Sequence, residues 1–284
     1  MKRIFWFLAI LLVVIIGSIV YFLFRPEILP QKLISEKNFA SDFFDNLLGR
    51  SDQKTTINPK KVYAPILLYH KIEKKEPQDS YYVSPEIFDE QLTWLEDNGY
   101  SVVSLENLYE ALSIGADLPA RPAVITFDDG DANQFINALP ILKKHRMTAT
   151  FFIKINNIDK EGGMTWNQVK ELSTAGMTIG SHSVNHDNMS QMDPEVLKYE
   201  LVESKKILEK KINHKVLFFA YPGGAYSQET IVATEEAGYL AAVTTHHEVY
   251  QNIKKEDDLY ALARIHIDDE MPSFIDWVQG INLK

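Results

Sequence analysis

Three short clusters in this 284-residue chain hold side chains whose type and spacing suit hydrolytic chemistry. The first is Asp128-Asp129-Gly130, with Asp131 behind it, closing the apolar run Ala123-Val-Ile-Thr-Phe127. Adjacent carboxylates raise each other's pKa and resist desolvation, so a pair at a strand end asks for a cation or a task. The plainer reading is an Asp-Gly turn that stops a strand. The second cluster is Ser181-His182-Ser-Val-Asn-His186-Asp187. On a helical turn residues i and i+4 share a face, so His182 and His186 could reach one ion. With either Asp128 or Asp129 they make a two-imidazole, one-carboxylate set, which leaves positions for water and substrate on Zn²⁺ or a similar ion. The other aspartate could then take a proton from the attacking water. The third cluster, Phe219-Ala-Tyr-Pro-Gly-Gly224, is either an ordinary tight turn or a place where backbone approaches a ligand and offers it an N–H.

Apolar runs of four to six residues alternate with capped amphipathic stretches beyond Val62, the pattern of repeated βα units. The expected strands are Ile66–His70, Tyr100–Val103, Ala123–Phe127, Thr148–Ile153, Thr178–Gly180, Val216–Phe219, Leu240–Thr244 and Leu262–Ile267. Helices are expected after Ser84-Pro85-Glu86, after Thr165 with its capping-box partner Gln168, after Asp193-Pro194-Glu195, and from Ser227 to Gly238. Seven or eight such units predict an α/β fold, a single parallel (β/α) barrel, with a doubly wound open sheet as the alternative. In both, function gathers beyond the carboxyl ends of the strands, where all three clusters fall.

From Ile4 to Phe24 there are 21 residues without a charge, preceded by Lys2-Arg3 and closed by Arg25-Pro26. That length spans a bilayer, exceeds a usual signal-peptide core, and lacks an Ala-x-Ala cleavage site. The reading is an anchor over residues 1–25, a linker over 26–62 and a catalytic domain over 63–284, in a single-pass cell-membrane protein whose domain is extracytoplasmic by the positive-inside rule. Residues 61–284 carry 21 Lys and Arg against 34 Asp and Glu, which disfavours nucleic acid as a partner. The absence of cysteine excludes thiolate nucleophiles and thiolate metal sites.

Thr126-Phe-Asp-Asp-Gly130, His182-Ser-x-x-His186 and Phe219-Ala-Tyr-Pro-Gly-Gly224, in that order, resemble the polysaccharide deacetylase (NodB-homology) family over residues 63–280. The resemblance implies a distorted (β/α) barrel that removes acetyl groups from acetylated glycans. It implies Asp128 as catalytic base and Asp129, His182 and His186 as ligands of one divalent ion, Zn²⁺ with Co²⁺ or Ni²⁺ as alternatives. The Gly223 N–H would hold the oxyanion, while Tyr221 and Pro222 would shape the acetyl pocket. Many members place an arginine where this chain has Ala220, so Arg264, within the run Leu262–Ile267, becomes the candidate partner of Asp128. The general acid has two candidates. His266 matches a late-strand position used by many members, and His70, closing Pro65-Ile-Leu-Leu-Tyr-His70, resembles the subgroup that includes poly-N-acetylglucosamine deacetylases.

The expected function is metal-dependent N-deacetylation of an N-acetylated cell-wall or extracellular polysaccharide: peptidoglycan, a chitin-like chain or an exopolysaccharide. Membrane attachment is expected through residues 4–24. A metal-independent glycoside hydrolase, with carboxylates about 5–10 Å apart across a sugar bond, and a catalytically silent carbohydrate-binding barrel are the rivals.

Overall fold

The computed structural model describes residues 60–281. The anchor expected over residues 1–25 and nearly all of the linker lie outside the described residues. Among the described residues no helix is long and apolar enough to cross a membrane.

The frame is a curled parallel sheet with helices packed around it. Its strands are β2 (Ile66–Tyr69), β5 (Ser101–Val102), β6 (Pro122–Phe127), β7 (Thr150–Ile153), β8 (Thr178–Ser181), β9 (Phe218–Ala220), β10 (Ala241–Val243) and β12 (Ile265–His266). The order β10-β9-β8-β7-β6-β2-β12 is parallel throughout, and β5 pairs with the start of β6. Burial on both faces explains the near-continuous apolar runs: every residue of β2, β6, β7, β9 and β10 is buried. The segment just before β12 also reaches the opposite edge. The Leu262 N–H donates to Ala242 O at 2.9 Å and the Thr244 N–H to Leu262 O at 2.8 Å, while Ile265 and His266 pair with Leu67 and Leu68. The run expected as one strand, Leu262–Ile267, therefore serves β10 with its first half and β2 with its second.

Among the described residues seven α-helices cover the sheet: α1 (Pro85–Asp97), α2 (Leu105–Ser113), α3 (Leu139–His145), α4 (Trp166–Thr174), α5 (Pro194–Ile212), α6 (Gln228–Glu236) and α7 (Met271–Val278). Thr165 and Gln168 form the expected capping box, Asp193 caps α5 through the Glu195 N–H, and Ser227 caps α6. Ser84 precedes α1 but does not cap it, because its N–H and hydroxyl both donate to Asp269 at 2.7 Å. Four short strands had no expectation attached: β1 (Lys60–Tyr63) pairs antiparallel with β11 (Tyr250–Ile253), and β3 (Lys71–Ile72) pairs with β4 (Tyr82–Val83). Tyr100–Val103 keeps only Ser101–Val102 as strand.

In register, Tyr69 stands beside Phe127, Phe127 beside Phe151, Ile153 beside Ser181, Ser181 beside Phe219 and Ala220 beside Val243. Because the strands are parallel, the residues that follow them emerge at one end. Those residues include His70, Asp128 and Asp129, His182 and Tyr221.

Candidate active site

Asp128 continues β6 by one residue, where its N–H donates to Tyr69 O at 3.1 Å in the last ladder bond to β2. Its carboxylate is 2% exposed. The two terminal nitrogens of the fully buried Arg264 donate to its two oxygens at 2.7 Å each, while Arg264 Nε donates to Thr244 O at 2.8 Å. A bidentate pair of this kind fixes a carboxylate in plane as well as in charge. Burial pushes the Asp128 carboxyl up, but the Arg264 guanidinium and His182 outweigh it and hold the group well below the usual carboxylate range. Arg264 thus stands against Asp128 as the resemblance led one to expect, with Ala220 buried at the end of β9.

Asp129, His182 and His186 bring one donor atom each to within 4.8 Å of one another. Asp129 Oδ1 lies 3.5 Å from His186 Nε2 and 3.9 Å from His182 Nε2. Donors placed tetrahedrally at 2.0–2.1 Å from one ion are ~3.4 Å apart, so an ion needs only small shifts of these side chains. His182 Nδ1 donates to Ala220 O at 2.8 Å, which leaves the Nε2 lone pair facing Asp129 and supplies the outer hydrogen bond typical of metal-bound imidazoles. Burial first, and then His182, lower the His186 pKa against the pull of Asp129, favouring the neutral form that ligates. The residues present fit a divalent ion.

The two histidines do not converge through a helical turn as their spacing suggested. Residues 182–186 form a kinked loop in which Ser183 (φ 63°) and His186 (φ 70°) are left-handed, and Asp129 (φ 76°) is left-handed as well. Such backbone costs of order 1–3 kcal/mol per residue and persists where surroundings enforce it. Ser183 Oγ accepts the His186 N–H at 2.9 Å and so holds the turn. The 3₁₀ turn Ile155–Asn157 ties the loop to Asp129: Ile155 and Asn156 N–H donate to Ser183 O and Val184 O at 3.2 and 3.0 Å, and Asn157 Nδ2 donates to Asp129 O at 3.1 Å. Asp131, third acid of the first cluster, turns aside to Lys71 Nζ at 2.8 Å.

Gly223 adopts φ 59°, and a Cβ on Gly224 would sit 2.1 Å from Thr245 Oγ1, so the Pro-Gly-Gly turn needs both glycines. The Gly224 N–H donates to Tyr221 O at 2.8 Å, whereas the Gly223 N–H has no partner among the described residues and sits on an exposed residue. Tyr221 and Pro222 are buried beside it, with Tyr221 stacked on Tyr226 at 5.2 Å.

His70 and His266 are neighbours, their ring centroids 5.2 Å apart and Tyr81 edge-on to both. His266 Nε2 is engaged by Ser80 O at 2.9 Å, while His70 Nδ1 is buried without a partner. Burial draws the His70 pKa down to about 4, against Asp128 and Asp129, which pull it up.

Sequence reasoning missed Gln134, Asn157 and Glu200. Buried Gln134 bridges the ends of β2 and β6 by donating to both His70 O and Asp128 O. Glu200 had a readable signal, an acidic residue on the stripe Leu197, Leu201, Leu208 of α5. A cavity of about 780 Å³ between α5 and α6, floored by Met189, Leu197 and Val232, contains none of these site residues.

A family model described as polysaccharide deacetylase matches residues 115–242. YxkH of Bacillus subtilis, assigned to the polysaccharide deacetylases, is 31% identical over 207 residues, covering 73% of this chain and 72% of the relative. The poly-beta-1,6-N-acetyl-D-glucosamine N-deacetylase of Staphylococcus epidermidis is 24% identical over 247 residues, 78% of this chain and 84% of its own. Among solved structures, the Streptococcus pyogenes deacetylase PplD in complex with acetate superposes with a TM-score of 0.70 at 32% identity, covering 77% of this chain and 97% of that one. The curled parallel sheet and its site define a carbohydrate-directed hydrolase of the deacetylase class. The chain belongs to the polysaccharide deacetylase family.

Proposed function

We propose that this chain is a divalent-metal-dependent N-deacetylase of an N-acetylated extracellular or cell-wall polysaccharide, releasing acetate and leaving glucosamine units. The observation that carries the reading is the pairing of an Asp129-His182-His186 donor set with a second, arginine-clamped carboxylate, Asp128 Oδ2, 3.8 Å from His182 Nε2. A binding protein has no need of that second buried acid.

A divalent ion held by Asp129, His182 and His186, with Zn²⁺ first and Co²⁺ or Ni²⁺ also suited to the ligands, supplies Lewis acidity to water and to the acetyl carbonyl. Asp128, kept ionised by Arg264, takes the proton from the attacking water. The unpartnered Gly223 N–H donates to the oxyanion as the carbonyl becomes tetrahedral, and Tyr221 with Pro222 bounds the acetyl methyl. His70 passes a proton to the leaving nitrogen. It is neutral at neutral pH, so it first accepts the proton that Asp128, a weak base, readily gives up. His266, whose Nε2 is tied to Ser80, orients the His70 ring.

The early-strand His70 and the staphylococcal relative support a poly-N-acetylglucosamine chain as substrate. The charge-free run 4–24 supports a domain held at the outer face of the cell membrane. The test is a panel of β-1,6-linked poly-N-acetylglucosamine, chitin oligomers and peptidoglycan, assayed with zinc for both acetate and new reducing ends. Acetate without reducing ends is expected, and reducing ends without acetate would replace the proposal with glycoside hydrolysis.

A further inference from the structure

Glu200 is fully buried, and among the described residues no lysine, arginine or histidine forms an ion pair with it. An ionised carboxylate is costly to bury without a counter-charge unless hydrogen bonds fill its lone pairs. Here they do. Oε2 accepts the Val184 N–H at 2.8 Å and the Asn185 N–H at 2.9 Å, while Oε1 accepts from the Asn185 side-chain amide. Consecutive backbone N–H groups beside a left-handed residue form an anion-binding nest, and Ser183 at φ 63° immediately precedes these two. The anion in this nest is part of the protein itself.

The loop from His182 to His186 is held on three sides. The Ile155 and Asn156 amides donate to the carbonyls of Ser183 and Val184, Ser183 Oγ accepts the His186 N–H, and Glu200 accepts the Val184 and Asn185 N–H groups. Without Glu200, the Val184 N–H is a buried orphan donor, and a loop with two left-handed side-chain-bearing residues has its cheapest relief in rotating that peptide toward water. Such a rotation moves His186 relative to His182, the two imidazoles that must share one ion. We infer that Glu200 is a positioning residue for metal binding: a carboxylate on the barrel's outer helix that locks the strained His182–His186 loop in its ion-binding geometry. The inference rests on the reading of Asp129, His182 and His186 as metal ligands.

The chemistry at the nest predicts which replacements work. In Glu200→Gln one oxygen can still accept both backbone N–H groups and only the Asn185 side-chain bond is lost. Glu200→Met fills similar volume on the helix and accepts nothing. Glu200→Asp keeps the charge but is one methylene too short to reach both amides.

The experiment measures zinc affinity of the full chain, stripped by chelation, in competition with a chromophoric chelator, with thermal melts of each variant. Glu200→Met should bind zinc 10–100-fold more weakly than the parent, the range typical of lost outer hydrogen bonds at metal sites. Glu200→Gln should recover most of that loss, and Glu200→Asp should fall between them. Deacetylase activity of Glu200→Met should return toward the parent kcat as zinc is raised, with KM unchanged. Parental zinc affinity in Glu200→Met, or activity that excess zinc does not restore, overturns the inference. If Glu200→Met does not melt cooperatively, Glu200→Asp decides the matter, and zinc binding equal to the parent's overturns it. A parent chain that binds none of Zn²⁺, Co²⁺ or Ni²⁺ overturns the metal reading itself, and the role of Glu200 with it.

Discussion

Replacing Arg264 with methionine removes the only cation in direct contact with Asp128 among the described residues, while leaving a side chain of comparable length in a fully buried slot. Three hydrogen bonds of 2.7–2.8 Å and a longer one to Thr126 Oγ1 at 3.3 Å disappear, all donated by the charged guanidinium and two of them accepted by the carboxylate. Breaking a buried pair by removing one partner costs about 3–5 kcal/mol, because the remaining charge has nowhere to go. For a domain of this size that corresponds to a melting temperature lower by ~6–20 °C. The sign of the pH effect follows from the same geometry. With Arg264 present the folded pKa of Asp128 lies below its unfolded value, so the group contributes stability above the unfolded pKa near 4, and that contribution fades as pH falls through the folded value. With Arg264 gone, burial is opposed only by His182 and His70, and the pKa moves upward. The carboxylate then takes up protons at mildly acidic pH, and the acid limb of kcat/KM moves upward by at least one pH unit. The assays are thermal melts of metal-free protein from pH 4 to 8 and the pH profile of acetate release with zinc. Arg264→Lys keeps charge but not the bidentate fork, and should fall between. Melting within 2 °C of the parent together with an unmoved acid limb in Arg264→Met would show that the guanidinium does not hold Asp128 ionised.

Other outcomes follow from the same site. His70→Ala should lower kcat by about 10²–10⁴, as expected for loss of a general acid, while His266→Ala should cost less than tenfold, since its Nε2 is occupied by Ser80; equal losses would remove the distinction. His70 has a folded pKa of about 4 against an ordinary 6.5, so the unfolded chain binds its proton first, and stability falls as pH drops from 6.5 toward 4 by at most about 3 kcal/mol. His70→Gln should flatten that part of the melting curve, and an unchanged pH dependence would contradict the assignment. Chelation should abolish acetate release and lower the melting temperature, with both restored by zinc. Gln134→Leu should reduce kcat with little change in zinc affinity, because it unclips His70 from Asp128 and touches no metal ligand.

The candidate site residues were legible because buried parallel strands are apolar on both faces, so any polar residue at their ends stands out. Asp128 and Asp129 after Ala123–Phe127 and His182 after Thr178–Gly180 are of this kind, whereas Arg264 became a candidate only through the family resemblance, with Ala220 standing where an arginine was expected. Capping boxes at Thr165 and Ser227 were readable because they are local. The convergence of His182 and His186 was foreseen, but its means was not: left-handed Ser183 and His186 carry no residue-type signature, since any L side chain there is held by its neighbours. The β1–β11 and β3–β4 pairs went unseen because short edge strands depend on partners distant in sequence. Gln134 and Asn157 act through single amides on backbone carbonyls, a role that only the folded backbone makes visible.

In the proposed mechanism Asp128 takes the proton from water beside a metal it does not itself bind. The most direct measurement is acetate release from β-1,6-linked poly-N-acetylglucosamine by the parent chain and Asp128→Asn at matched zinc occupancy. Asp128→Asn should retain one zinc per chain and lose at least about 10²-fold in kcat. Parental acetate release by zinc-loaded Asp128→Asn would contradict that mechanism.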